Sequence, residues 1–312
     1  MAKSSHSLHP VRLLGDSWTF LRKQPALVQV LLWFLIAPMV VLDLLDAYWP
    51  ESAVESSRQI GQMGYGLAQL VMGFLGFWGF CCVLLVGRRM VINRAGRSRT
   101  SFTSVRREAL RLIIPVFVTS LLRSFMTFYW SLLYILAALA FVFVYAPCHE
   151  AILSGVRPLL HALDAADMGM SQSILQHMFR ECDVVFLLLP LLIPSLIYQL
   201  RTVFFAAIVA SDNLRYRDAL RRSRAVVRGR SWRVLWILAA LTVMLFVPVQ
   251  IVSVLISQIQ QVAAPQLRII SAVADDVLYA CSGLLFTLGL IALYGKLRKE
   301  KGRVEEVVPE ME

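Results

Sequence analysis

Arg123 and Arg201 stand within apolar stretches of this 312-residue chain. Hydrocarbon tolerates a guanidinium poorly, so an ionisable residue placed there is a functional hypothesis by default. Both positions fall towards the arginine-rich ends of their stretches, and no acid within a stretch matches their depth. An anion from outside the chain, a lipid phosphate or a small anionic substrate, would serve as counter-charge. Snorkelling to the interface, or binding of backbone carbonyls, is the alternative. A second cationic set is periodic: Arg217, Arg221, Arg224 and Arg228 recur at spacings of four, three and four. On the other side of the same helix run Tyr216, Ala219, Leu220, Ser223, Val226 and Val227. Such a helix is expected to lie on a membrane, apolar side in the acyl boundary and guanidinium groups towards phosphates. Asp212 or Asn213 would cap its start and Gly229 would end it.

Catalytic patterns are missing from the sequence. It has no Gly-rich phosphate loop, no His-Glu-x-x-His and no Cys-x-x-Cys. No enzyme activity and no cofactor are therefore expected. Three of the five histidines, His149, His161 and His177, fall between residues 147 and 183, with Glu150, Asp164 and Cys182 nearby. Imidazole, carboxylate and thiolate are zinc ligands, but this spacing matches no metal pattern. The segment also reads as two amphipathic helices forming a cap. Cys148 and Cys182 sit at its two ends and are expected to form a disulfide, the alternatives being free thiols or a metal site shared with His149 and His177. Cys81, Cys82 and Cys281 lie inside apolar spans, where a thiol acts as a small apolar group.

These residues need elements to hold them, and the composition says which kind. The chain is 58% hydrophobic and 16% charged, whereas soluble domains are about 45–50% apolar and about 25% charged. Six stretches approach the roughly 20 residues that cross a bilayer: residues 26–45, 64–86, a long one within 112–146, 184–210, 234–258 and 277–294. Arginine crowds the loops 87–111 and 211–233, while 147–183 carries mostly acids. The positive-inside rule then puts both arginine loops and both termini in the cytoplasm and 147–183 outside. The same clustering explains the net charge of +11 without nucleic acid. The first 25 residues are polar and basic and show no cleavable signal, so the first span would be a retained signal anchor.

Three details qualify the spans. Residues 112–146 would make about 52 Å of helix, against a hydrocarbon core about 30 Å thick, so this helix either tilts strongly or breaks near Pro115; the position of Arg123 favours a break. In the second span Gly66, Gly73 and Gly76 share a face with Gln69, which suits close packing. In the fourth, Pro190 and Pro194 would bend the helix. Acids within spans reduce to Asp43, with Asp46 just beyond it.

A shift of 206 positions places Leu13, Leu14, Ser17, Phe20, Leu21 and Arg22 on Ala219, Leu220, Ser223, Val226, Val227 and Arg228. A poorer copy, with Phe102, Val105 and Ala109, precedes the third span. The expected fold is thus an all-α polytopic membrane protein of six transmembrane helices, with amphipathic interfacial helices and three repeated helix-plus-hairpin units. Its parts are an N-terminal amphipathic segment (1–25), a membrane domain (26–294) and a cytoplasmic tail (295–312).

Ala219, Leu220, Ser223, Gly229, Trp232 and Arg233, with Tyr294, Leu297, Arg298, Glu300 and Gly302, carry a resemblance over residues 200–302. The stretch resembles the membrane domain attached to some glycerophosphoryl diester phosphodiesterases, and its stand-alone relatives of unknown function. The resemblance implies a six-helix bundle in a bacterial inner membrane. Only a short tail follows the sixth span here, so phosphodiesterase activity does not carry over. The expected role is non-enzymatic binding of anionic lipid headgroups or an envelope protein partner. Transport or translocation of a lipid or small anion is the first alternative, and an enzyme with its site in 147–183 the second.

Overall fold

A computed structural model describes residues 9–48, 55–92, 101–144, 190–262 and 265–307. Every regular element among the described residues is helical. Six stretches are long and apolar enough to cross a membrane: Pro25–Leu44, Gly66–Val91, Phe102–Phe141, Pro190–Asp212, Ser231–Ile256 and Ile270–Glu300. Each overlaps one expected span. Residues 147–183, with Cys148, Cys182 and the three histidines, lie outside the described residues.

The chain divides into two compact units, Met1–Ser120 with Arg201–Glu312, and Leu121–Leu200. The larger unit begins with α1 (Pro10–Lys23), which buries Leu13, Ser17 and Phe20. The first span follows as α2 (Pro25–Val30), a π-helical segment (Leu31–Ile36) and α3 (Ala37–Tyr48). Next comes α4 (Glu55–Val91). Glycine lets α4 close on its neighbours, but of the positions expected only Gly76 stands near one, its Cβ position 3.9 Å from Phe34 O. Side-chain-sized space is open at Gly66 and Gly73, whereas a Cβ on Gly79 would stand 2.5 Å from Phe34 Cβ. A Cβ on Gly87 would meet Ile291 Cδ1 at 2.5 Å. The expected face was chosen by periodicity alone, which cannot say where a neighbour sits.

Helix α5 (Phe102–Val144) is 43 residues long and runs through Pro115 without interruption. The expected break there does not occur, because one lost backbone hydrogen bond does not end a helix of this length. The fourth span does break, but not at its prolines. A 3₁₀ turn at residues 190–192 leads into α6 (Ile193–Arg201), with Pro194 in its first turn, where proline's missing N–H costs nothing. The interruption comes at residues 202–204, before α7 (Phe205–Asp212).

Helix α8 (Tyr216–Val227) holds the periodic arginines. Its expected stripe is present: Ala219, Leu220, Ser223, Val226 and Val227 are all buried, and only Tyr216 is exposed. What covers the stripe is protein, since α8 packs on α7 and on the last helix. The expected placement of this face in the acyl boundary is therefore corrected: among the described residues protein covers the stripe from Ala219 to Val227. Capping also differs. Arg215 precedes the helix without a side-chain cap, and Asn213 instead ends α7 in the left-handed region at φ 55°. Gly229 does follow the helix at φ 79°, a conformation that costs glycine little.

Helix α9 (Ser231–Val262) and helix α10 (Pro265–Val307) complete the unit. Helix α10 packs against α9, α4, α1 and α3. Leu284, Leu288, Ile291, Leu293, Tyr294 and Leu297 form its buried side.

Candidate functional site

At the arginine-rich end of the larger unit, α1, α4 and α10 line an open cavity of about 320 Å³. Apolar packing sets its position: Phe20 of α1 is buried, and Ala292 and Gly295 of α10 let the helices approach. A Cβ on Gly295 would lie 3.3 Å from Val91 Cα. The walls are of two kinds. Phe20, Met90 and Ala292 contribute apolar groups, and Asp16, Lys23, Lys296 and Lys299 contribute charged ones. Lys296 Nζ donates to Asp16 Oδ2 at 2.8 Å. Three ammonium groups against one carboxylate leave a net positive lining beside an apolar wall. A phosphate with an attached hydrophobic chain suits both.

Polar bonds on the neighbouring turns hold α10 in place. Arg298 donates to Asp212 Oδ1 at 2.8 Å and the Tyr294 hydroxyl donates to Oδ2 at 2.7 Å. Arg230 donates to Glu300 Oε2 at 2.8 Å, with Arg233 3.9 Å away. The two patches that carry the sequence resemblance therefore meet in space. Asp212, expected as a helix cap, joins α7 to α10 instead.

Ser223 explains the break in the fourth span. Its hydroxyl donates to the Arg201 carbonyl at 2.9 Å and accepts the Phe204 N–H at 3.2 Å. One buried side chain from α8 thus replaces backbone partners lost between α6 and α7, as broken membrane helices require. Ser17, its counterpart under the 206-residue shift, bonds only the Leu13 carbonyl of its own helix, at 2.8 Å. The paired positions are both buried but do different work.

The arginines expected to bind anions are dispersed. Arg217, Arg221, Arg224 and Arg228 are all exposed on α8, and none lines the cavity. Arg201, also exposed, belongs to the larger unit and Arg123 to the other. In Leu121–Leu200, Arg123 donates to the Gln199 carbonyl at 3.4 Å, the carbonyl binding that was the alternative to an anion site. It also lines a cavity of about 380 Å³ with Ser124, Thr127, Phe128, Ser131 and Gln199.

Acids inside the spans are more numerous than the sequence reading allowed. Helix α10 begins at Pro265, and its candidate span at Ile270, so Asp275 and Asp276 lie within it. Ser253 donates to Asp275 Oδ2 at 3.1 Å, and the Asp276 carboxyl lies beside those of Asp43 and Asp275. One buried oxygen on each of Asp43, Asp275 and Asp276 has no hydrogen-bond partner. The missed signal was Leu267, Ile269 and Ile270 ahead of the acids, which extends the apolar pattern upstream of the two charges. No family model, curated protein or solved structure matches the chain.

Proposed function

We propose that this chain is a non-enzymatic multi-pass protein of a bacterial inner membrane that binds an anionic lipid headgroup. The cavity between α1, α4 and α10 carries the reading. Its lysines would hold the phosphate, while Phe20, Met90 and Ala292 contact the adjoining carbon chain. Each Lys or Arg close to an anionic surface contributes about 1 kcal/mol, and a concave site gathers these contributions on one headgroup. The exposed arginines of α8 supply a broader field that draws anionic lipid to this end. With the arginine-rich loops and both termini in the cytoplasm, the site belongs to the inner leaflet. Membership of the group containing the phosphodiesterase-attached membrane domains is part of the same proposal.

The test is titration of phosphatidylglycerol into the delipidated full-length protein, followed by native mass spectrometry. Saturable binding at one principal site, weakened when Lys23, Lys296 and Lys299 become Gln, is expected. Equal, non-saturating retention of phosphatidylglycerol and phosphatidylcholine would contradict the reading.

Transport of a lipid or small anion is the second reading, favoured by one observation. The Asp43 and Asp276 carboxyl groups lie side by side within the spans, and intramembrane carboxyl groups serve as proton relays in pumps and transporters. Proton uptake by proteoliposomes on addition of substrate, abolished by Asp276→Asn, would support it.

A further inference from the structure

Leu121–Leu200 carries a polar row of its own, independent of the lysine cavity. Arg123, Thr127 and Ser131 recur at intervals of four on α5, and Ser195 and Gln199 at the same interval on α6. That spacing puts each set on one helix face. The faces meet: the Ser131 and Ser195 hydroxyls are 2.9 Å apart, and both reach the Thr127 carbonyl, at 3.0 and 3.4 Å. At the other end of the row, Arg123 donates to the Gln199 carbonyl at 3.4 Å. Between these bonds opens the cavity of about 380 Å³, and none of its lining residues among those described is acidic.

The row lies in an apolar run, since Arg123 falls within the candidate span Phe102–Phe141. Hydroxyl groups and a guanidinium are costly against acyl chains alone. Apolar residues stand beside the row, among them exposed Phe128, Leu132 and Leu196, and these suit acyl chains. A guanidinium binds phosphate through two parallel N–H bonds, and serine and threonine hydroxyls add donors.

We propose that this groove is a second anion site, in which Arg123, Ser124, Thr127 and Ser131 receive a phosphate group within the membrane. The phosphate is that of a lipid headgroup or of a free anion, since the lining chemistry is common to both. A headgroup there would lay its acyl chains along the exposed apolar residues.

Full-length protein carrying Lys23→Gln, Lys296→Gln and Lys299→Gln provides the background, so that the lysine cavity does not contribute. Phosphatidylglycerol retained by this variant, from nanodiscs of defined composition, is counted by native mass spectrometry. Adding Arg123→Gln is expected to lower retention about tenfold, and Arg123→Lys less. Thr127→Val with Ser131→Ala keeps the charge and is expected to lower it several-fold, which guards against a misfolded Arg123→Gln protein. Inorganic phosphate at millimolar concentration separates the sources: displacement of the lipid assigns the groove to free anions, and persistence assigns it to the headgroup. Both results support a phosphate site. Retention unchanged by Arg123→Gln in folded protein, or by the hydroxyl pair, would overturn the proposal. If the lysine substitutions alone change nothing while Arg123→Gln does, the cavity reading fails and the groove stands.

Discussion

Replacing Ser223 with Ala is expected to destabilise the larger unit far more than replacing Ser17, though the two serines are equally buried. Ser17 donates to the Leu13 carbonyl, which in an α-helix already accepts the N–H of residue 17. Removing that hydroxyl leaves no group unpaired and costs about 0.5–1 kcal/mol. Ser223 is different, because its hydroxyl serves two backbone groups at the break, the Arg201 carbonyl and the Phe204 N–H. Without it the Phe204 N–H and the Arg201 carbonyl lose their partner. Phe204 is only 1% exposed, so water does not readily replace the hydroxyl at that N–H. A buried unsatisfied polar group costs about 1–3 kcal/mol, which puts Ser223→Ala near 2–4 kcal/mol. Reversible unfolding in mixed micelles, followed by circular dichroism, measures both variants against the wild type. A difference between them below about 0.5 kcal/mol would refute this account of the break.

Other substitutions probe the packing and the polar lock. Gly79→Ala would drive a methyl into Phe34 Cβ and is expected to cost about 1–3 kcal/mol by overpacking, while Gly73→Ala, in open space, is expected to be neutral or slightly stabilising; the same unfolding titration reads both. Asp212→Asn removes the charge that pairs with Arg298 at 2.8 Å. The Asp212 side chain is 10% exposed, so a loss of about 1.5–3 kcal/mol is expected, together with faster protease cleavage after Arg298. Gly229→Ala, at φ 79°, should cost about 1 kcal/mol through left-handed backbone strain.

The parts of this fold that could be read from the sequence are those that depend on one segment at a time. Six apolar runs of sufficient length announce six helices whatever surrounds them. The stripe from Ala219 to Val227 is equally visible, because periodicity belongs to the helix itself. What covers a stripe is not local. Lipid and protein both satisfy an apolar face, so the sequence could not show that α8 lies against α7 and α10. The break in the fourth span was hidden for a related reason. Pro190 and Pro194 are the local signals, yet the interruption at residues 202–204 depends on Ser223, about twenty positions away. Hydropathy likewise ended the sixth span at two aspartates, although the helix continues through them to Pro265. The lysine cavity draws on three separated segments, and although Lys296 and Lys299 are three positions apart, no spacing could have grouped Lys23 with them.

The central claim is that concave lysine chemistry, and not the exposed arginine row, holds the lipid. Phosphatidylglycerol affinity measured in parallel on two variants tests it most directly. One carries Gln at Lys23, Lys296 and Lys299; the other carries Gln at Arg217, Arg221, Arg224 and Arg228. The lysine variant is expected to lose about tenfold or more in affinity, equivalent to about 1.4 kcal/mol. The arginine variant is expected to bind with similar affinity but with a weaker dependence on salt. The opposite order, with the arginine variant losing affinity and the lysine variant keeping it, would contradict the account.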